Sequence, residues 1–167
     1  MIIFLTDNGY SFGEHRWVTK SCPYDECIHT PFLVRYPWQR REQVDGLVSN
    51  ADIAPAIVDL AHARAPWMSG RSFLPLIDPV RWAPITRTPA ELIEMPAGGS
   101  GVPHWYGLRT ADFTYVEYPQ TGERELYDLT GTLGPKDPYE LDNRAGEPAY
   151  TAVEERLSRL LSGLLQR

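Results

Sequence analysis

The sequence predicts an α/β fold followed by a small antiparallel sheet and a terminal helix. Three observations point there. The apolar run Ile2-Ile3-Phe4-Leu5 leads straight into the polar Thr6-Asp7-Asn8-Gly9; three short runs of strand formers lie between Tyr106 and Leu129; and Pro148 to Leu165 carries a helical apolar stripe. With 167 residues, 43% of them hydrophobic, the chain can bury one core and makes at most one domain plus a subdomain.

The first run is continuous in strand formers, which suits a strand covered on both faces, as in a parallel sheet. Phe32 to Tyr36, bounded by Pro31 and Pro37, reads as a second short strand parallel to the first. Trp38 to Asp45 is mostly polar and reads as a surface loop. Asp52 then caps a helix with Pro55 in its third position, where the missing N–H has no intrahelical partner, and Ile53, Ile57, Leu60 and Ala61 form its stripe. In Gly70-Arg71-Ser72-Phe73-Leu74-Pro75-Leu76, Gly70 allows a turn and Ser72 caps a short helical turn. Residues 78–103 are rich in proline and glycine, with one strand expected at Glu91 to Glu94. His104, Trp105 and Tyr106 follow as core aromatics or cleft lining. The runs 107–110, 113–118 and 124–129 are separated by the turns Ala111-Asp112 and Gln120 to Glu123, which gives an antiparallel meander. The closing helix places Tyr150, Val153, Leu157, Leu160 and Leu164 on one side and pairs Glu155 with Arg159 on the other.

The chemistry concentrates in the first 36 residues. In open α/β sheets, ligands bind beyond the carboxyl ends of strands, and there Asp7 offers a carboxylate and Asn8 an amide carbonyl, hard oxygens suited to Ca²⁺ or Mg²⁺. Ca²⁺ takes about six to eight oxygens, so other ligands must come from elsewhere. Past Gly9 and Gly13 come His15, able to protonate a leaving alkoxide near neutral pH, and Lys20, a point charge able to hold an oxyanion. Each residue also has a plainer reading. Asp-Asn-Gly is a common turn signal, a single histidine is more often a hydrogen-bonded surface group, and a single lysine is more often solvated. Cys22, Cys27 and His29 are too few for a structural zinc site, and a disulfide would close only a short loop, so two reduced thiols are expected.

Taken together, Thr-Asp-Asn-Gly-Tyr-Ser-Phe-Gly-Glu-His (6–15), Lys20, Pro-Tyr-Asp-Glu (23–26) and Thr-Pro-Phe-Leu-Val-Arg-Tyr-Pro (30–37) resemble the second half of the sulfatases, in the alkaline-phosphatase-like superfamily. Gly-Arg-Ser-Phe-Leu-Pro-Leu, Glu-Leu-Tyr-Asp-Leu (125–129) and Asp-Pro-Tyr-Glu-Leu-Asp-Asn (137–143) match further landmarks of that family. The resemblance implies that Asp7 and Asn8 are metal ligands, for Ca²⁺ in most members, that Lys20 contacts the substrate sulfate, and that His15 stands at a Gly-x-His position of varied role. It implies residues 1–77 as the C-terminal part of the sulfatase α/β domain, 78–103 as a cleft loop or insertion, and 104–167 as the antiparallel subdomain with its terminal helix. The implied activity is hydrolysis of a sulfate ester by a formylglycine nucleophile matured from a Cys-x-Pro-Ser-Arg-type motif. That motif is not in this sequence, since Cys22 is followed directly by proline, so the polypeptide alone is expected to be inactive. A phosphatase or phosphonate hydrolase of the same superfamily is one alternative. A non-catalytic remnant, or a split protein complemented by an N-terminal half, is another.

The formal charge of −6 argues against nucleic acid and anionic membranes as partners, because no basic stripe exists to release counterions. No run of about eighteen apolar residues and no charged n-region with a cleavage site occurs, so the chain as written is expected in the cytoplasm. A sulfated small molecule or carbohydrate is the expected partner, with Pro-Tyr-Asp-Glu and Phe-Leu-Val-Arg resembling the glucosamine-sulfatase branch.

Overall fold

The computed structural model describes residues 1–37, 42–82, 90–96 and 102–166. In chain order its strands are β1 (Ile2–Leu5), β2 (Ser11–Phe12), β3 (Val18–Thr19), β4 (Phe32–Arg35), β5 (Ala90–Met95), β6 (Trp105–Thr110), β7 (Phe113–Glu117) and β8 (Arg124–Asp128). The α-helices are α1 (Asp25–Ile28), α2 (Ile53–Leu60), α3 (Leu74–Ile77) and α4 (Thr151–Leu165). The chain divides into two compact units, Met1–Asp7 with Phe32–Glu91 and Asn8–Pro31 with Leu92–Arg167.

In the first unit β1 pairs with β4, and the pairing is antiparallel, with Ile3 opposite Val34 and Phe4 opposite Leu33. This corrects the parallel reading. Exposure alternates along both strands: Ile3 and Val34 pack on Ala56, Phe73 and Leu74, while Ile2, Phe4 and Leu33 face outward. A continuous apolar run does not reveal whether one face or two will be covered.

Asp52 stands at the N-cap position of α2 with Pro55 third, as expected, but its side chain makes no capping bond there; it serves the preceding 3₁₀ turn, which Ser49 caps. Ser49 and Asp52 form a capping box, with the Asp52 carboxylate accepting the Ser49 N–H at 3.2 Å. A single turn of 3₁₀-helix, Asn50–Asp52, is inserted before α2, and this moves the cap back by three positions. Asp52 is buried and also accepts the Arg71 N–H at 2.6 Å. The same shift turns Ala56 inward and leaves Ile57 exposed. Gly70 is required here, since a Cβ at that position would lie 2.0 Å from the Ala51 carbonyl oxygen. Ser72 accepts the Leu74 N–H at 3.3 Å just before α3, although the N-cap position itself falls to Phe73.

The second unit carries the expected meander. The sheet order is β5-β6-β7-β8, with β7 antiparallel to both β6 and β8, and β5 covers the strand expected at 91–94. The turn after Tyr118 closes through Gly122, whose φ of +76° suits glycine. Trp105 is a core residue, 2% exposed, packed with Val116 and Tyr118, and its indole N–H reaches the Ser21 carbonyl at 3.0 Å. The terminal helix forms as expected, and Glu155 pairs with Arg159 on its wet side at 3.6 Å. Its inward face is rotated, however: Glu154, Leu157 and Leu161 are buried, while Val153, Leu160 and Leu164 are only partly so. Glu154 is drawn in because Arg124 and the Gly146 N–H supply it with partners at 3.2 and 2.9 Å. Parts of the expected loops at 38–45 and 78–103 lie outside the described residues.

Cys22 and Cys27 form a disulfide, which corrects the expectation of two thiols. The chain turns at Pro23-Tyr24 and starts α1, with the Cys27 N–H on the Tyr24 carbonyl at 2.8 Å, bringing the two Cα atoms to 5.7 Å. That separation lies in the range a bridge requires. Both cysteines sit in a core with Tyr24, Tyr127 and Leu129.

Candidate functional site

β1 delivers Thr6 and Asp7 at its C-terminal end, as its sequence leads one to expect. Asp7 is exposed; the Thr6 hydroxyl donates to its Oδ1 at 3.3 Å, and Asn50 Nδ2 donates to its backbone carbonyl at 2.9 Å. Asn50 was not singled out in the sequence, although it stands in the Ser-Asn-Ala-Asp turn that feeds α2. Asn8 is half-buried, and its Nδ2 donates to the Gly9 carbonyl at 2.6 Å, which fixes Oδ1 as the accepting end of the amide. A carboxylate and an oriented amide oxygen on consecutive residues fit a hard divalent cation in donor type. Gly9 donates its N–H to the Cys27 carbonyl at 2.8 Å, and a Cβ on Gly9 would lie 2.0 Å from the Glu26 carbonyl oxygen. Only glycine lets the Asp-Asn-Gly turn lie so close to α1.

His15 and Lys20 share the loop built on β2 and β3, but the structure treats them differently. Lys20 is exposed, and no ion pair involving it occurs among the described residues. His15 takes a left-handed backbone, φ 52°, as does Arg16 at 61°, and the imidazole turns into the unit with only 9% of its side chain exposed. It stacks on Tyr24, ring centroids 3.8 Å apart, and places Nε2 3.7 Å from Glu26 Oε1.

Glu140, on β8's C-terminal side in the chain, completes this group. Ligand atoms of His15, Glu26 and Glu140 all lie within 4.8 Å of one another. Glu140 is 1% exposed and also has a left-handed backbone, φ 55°. It accepts the Asp25 N–H at 2.8 Å, while Asp25 pairs with Arg109 at 3.1 Å. Burial pushes the Glu140 carboxyl up to about 7. The Thr114 hydroxyl and the Asp25 N–H pull it back, the Asp25 charge adds to the rise, and Arg109 opposes it. Beside it, the hydroxyls of Tyr24, Tyr118 and Tyr127 converge on Glu125 at 3.3, 3.2 and 3.1 Å. Burial and then the Glu125 charge push the Tyr24 phenol up to about 12 and raise the other two further.

Known proteins carry the same combination of strand end, loop and meander. The sequence model for "N-sulphoglucosamine sulphohydrolase, C-terminal" matches residues 13–167. The chain belongs to this sulfatase family. It is similar to an N-acetylglucosamine-6-O-sulfatase of Bacteroides thetaiotaomicron, 31% identical over 96% of this chain and 29% of the relative. Arylsulfatase K of Canis lupus familiaris is 31% identical over 97% of this chain and 31% of its own length. Among solved structures, a protein in complex with its substrate D-glucosamine-2-N,6-O-disulfate superposes with a TM-score of 0.85 at 27% identity, over 98% of this chain and 33% of that one. A phosphonate monoester hydrolase from Silicibacter pomeroyi superposes with a TM-score of 0.72 at 27% identity, over 34% of its length. The chain thus spans about a third of the relatives it matches, and in them it corresponds to a C-terminal portion of the sulfatase, alkaline-phosphatase-like fold.

Proposed function

We propose that the chain is the C-terminal portion of a sulfuric ester hydrolase acting on sulfated glucosamine units, and that its share of the active site is Asp7, Asn8 and Lys20. The observation that supports this most is the sulfatase-family match over residues 13–167, with the Asp7-Asn8 pair just upstream of it, past the C-terminal end of β1. Asp7 and Asn8 would hold a divalent cation, Ca²⁺ by donor type. When bound, such an ion neutralises charge on the oxygens of the transferring sulfuryl group. Lys20, exposed on its loop, would place its ammonium on a sulfate oxygen and stabilise the charge that builds as the ester bond breaks. The oriented Asn8 amide and the Gly9 turn, held against α1, keep the donors in place before substrate arrives. The nucleophile, a cysteine-derived formylglycine in this reading, is not encoded in these residues, so the 167-residue polypeptide alone has no turnover. The glucosamine preference rests on the relatives above that act on or bind glucosamine sulfates.

The experiment is peptide mapping of the native protein for a formylglycine, followed by sulfate release from glucosamine 2-N,6-O-disulfate, with a phenylphosphonate ester assayed in parallel. A formylglycine is expected, together with metal-dependent sulfate release that falls at least about a hundredfold in Lys20→Ala. Metal-dependent sulfate release by the 167-residue polypeptide alone would overturn the division of labour. Turnover indifferent to Lys20→Ala would overturn its role, and preference for the phosphonate would move the protein to the other chemistry of the superfamily.

A further inference from the structure

His15, Glu26 and Glu140 form a group that the proposed sulfate chemistry does not use. We propose that it is a second cation site, in which His15 Nε2 and carboxylate oxygens of Glu26 and Glu140 hold a divalent transition metal such as Zn²⁺. Geometry comes first. Zn²⁺ bonds to imidazole nitrogen and carboxylate oxygen at about 2.0–2.2 Å, so neighbouring tetrahedral ligands stand roughly 3.4 Å apart. His15 Nε2 and Glu26 Oε1 are already 3.7 Å apart, and no pair in the group exceeds 4.8 Å. Closing on an ion requires a contraction of up to about 1.4 Å at the widest pair.

The independent sign of a ligand is unsatisfied oxygen. Glu140, 1% exposed, accepts the Asp25 N–H on Oε2, while its buried Oε1 completes no hydrogen bond among the described residues, the Thr114 hydroxyl acting on the carboxyl without closing one there; Glu26 Oε2 is likewise buried without a formed bond. Buried acceptors of this kind are costly unless something fills them. Charge points the same way. Asp25, Glu26 and Glu140 crowd together, and Arg109, which pairs with Asp25 and also offsets part of the Glu140 charge, is one cation against three carboxyls. His29 reaches Asp25 at 3.4 Å but is largely exposed, and Tyr24 contributes a ring face to His15. One imidazole and two carboxylates suit Zn²⁺ or Mn²⁺ better than Ca²⁺, and the remaining positions fall to water. The Tyr24 ring and the left-handed backbone at His15 hold the imidazole in place without a metal.

The test uses protein stripped by chelator, dialysed against Zn²⁺, and measured by elemental analysis and calorimetry in an Asp7→Ala background, which removes the Asp7-Asn8 pair as a competitor. One Zn²⁺ per chain is expected, with an X-ray absorption first shell of nitrogen and oxygen and no sulfur. Glu140→Gln and Glu26→Gln, both near-isosteric, should each weaken binding at least tenfold, as should His15→Ala, whereas His29→Ala should not. Circular dichroism shows whether each variant keeps its fold, and the absorption spectrum of the unaltered site reads the ligands without any variant. No stoichiometric Zn²⁺, a first shell without nitrogen, or affinity indifferent to all three substitutions would overturn the proposal and leave protons as what balances the group.

Discussion

Replacing Glu140 by glutamine should stabilise the metal-free protein at alkaline pH and do little at acid pH. The folded-state carboxyl is pushed to about 7 from an ordinary value of 4.5, so between these values the native state holds a proton that the unfolded chain has lost. Stability linked to this group is therefore complete below about 4.5, declines as pH rises, and is lost above about 7. At 1.36 kcal/mol per unit, the cost at pH 8 approaches about 3 kcal/mol, with Asp25 and Arg109 acting in opposite directions within that figure. Glutamine mimics the protonated acid. Its carbonyl can still accept the Asp25 N–H, and its amide can donate toward the neighbouring carboxylate. Urea unfolding with chelator present, from pH 4.5 to 8, should give converging curves for the two proteins at the acid end. At pH 8 the variant should be ahead by about 2–3 kcal/mol. Parallel curves across the range, or a less stable variant at pH 8, would refute the claim that a buried, destabilised carboxylate sits there. Adding Zn²⁺ should close the gap by stabilising the unaltered protein alone.

Two further outcomes follow from the second unit. Asp128 is fully buried and accepts the N–H groups of Gly131, Thr132, Leu133 and Gly134 together with the Tyr150 hydroxyl. Burial alone would raise its carboxyl, but these donors hold it below the usual range. Its contribution is thus present above about pH 4 and fades as pH falls through the lowered value. Asp128→Ala should cost about 3 kcal/mol or more at pH 7 in denaturant unfolding, and the loss should shrink at low pH. Changing Cys22 and Cys27 together to serine should cost about 2 kcal/mol, the chain-entropy value for a loop closed over five positions, and reduction of the native bridge should give a matching shift in Tm.

Much of the layout was legible because it is local. Period and turn chemistry marked the strands at 91–94 and from 107 to 129 and the terminal helix, and the Asp-Asn-Gly signal sits on one contiguous strand end. Lys20 stands exposed on its loop. What was not legible depends on packing between segments and on turn geometry that no local pattern states. A period-3.6 stripe on α4 was misplaced because burial of Glu154 depends on Arg124, 30 positions away, and on Gly146. The disulfide depended on a turn at Pro23-Tyr24 whose tightness no spacing rule states.

By itself the sequence determined the family, the C-terminal meander with its closing helix, and the residues that follow the first strand, since each is carried by contiguous motifs. Tertiary structure alone decided that β1 runs antiparallel to β4 and that Cys22 bonds Cys27. It also decided that His15 points inward to meet Glu26 and Glu140. Glu140 lies 115 positions from Asp25, whose N–H it accepts, and a carboxyl's energy is set by how much water and how many donors surround it. That environment exists only once distant segments have packed, so its chemistry could not be read along the chain.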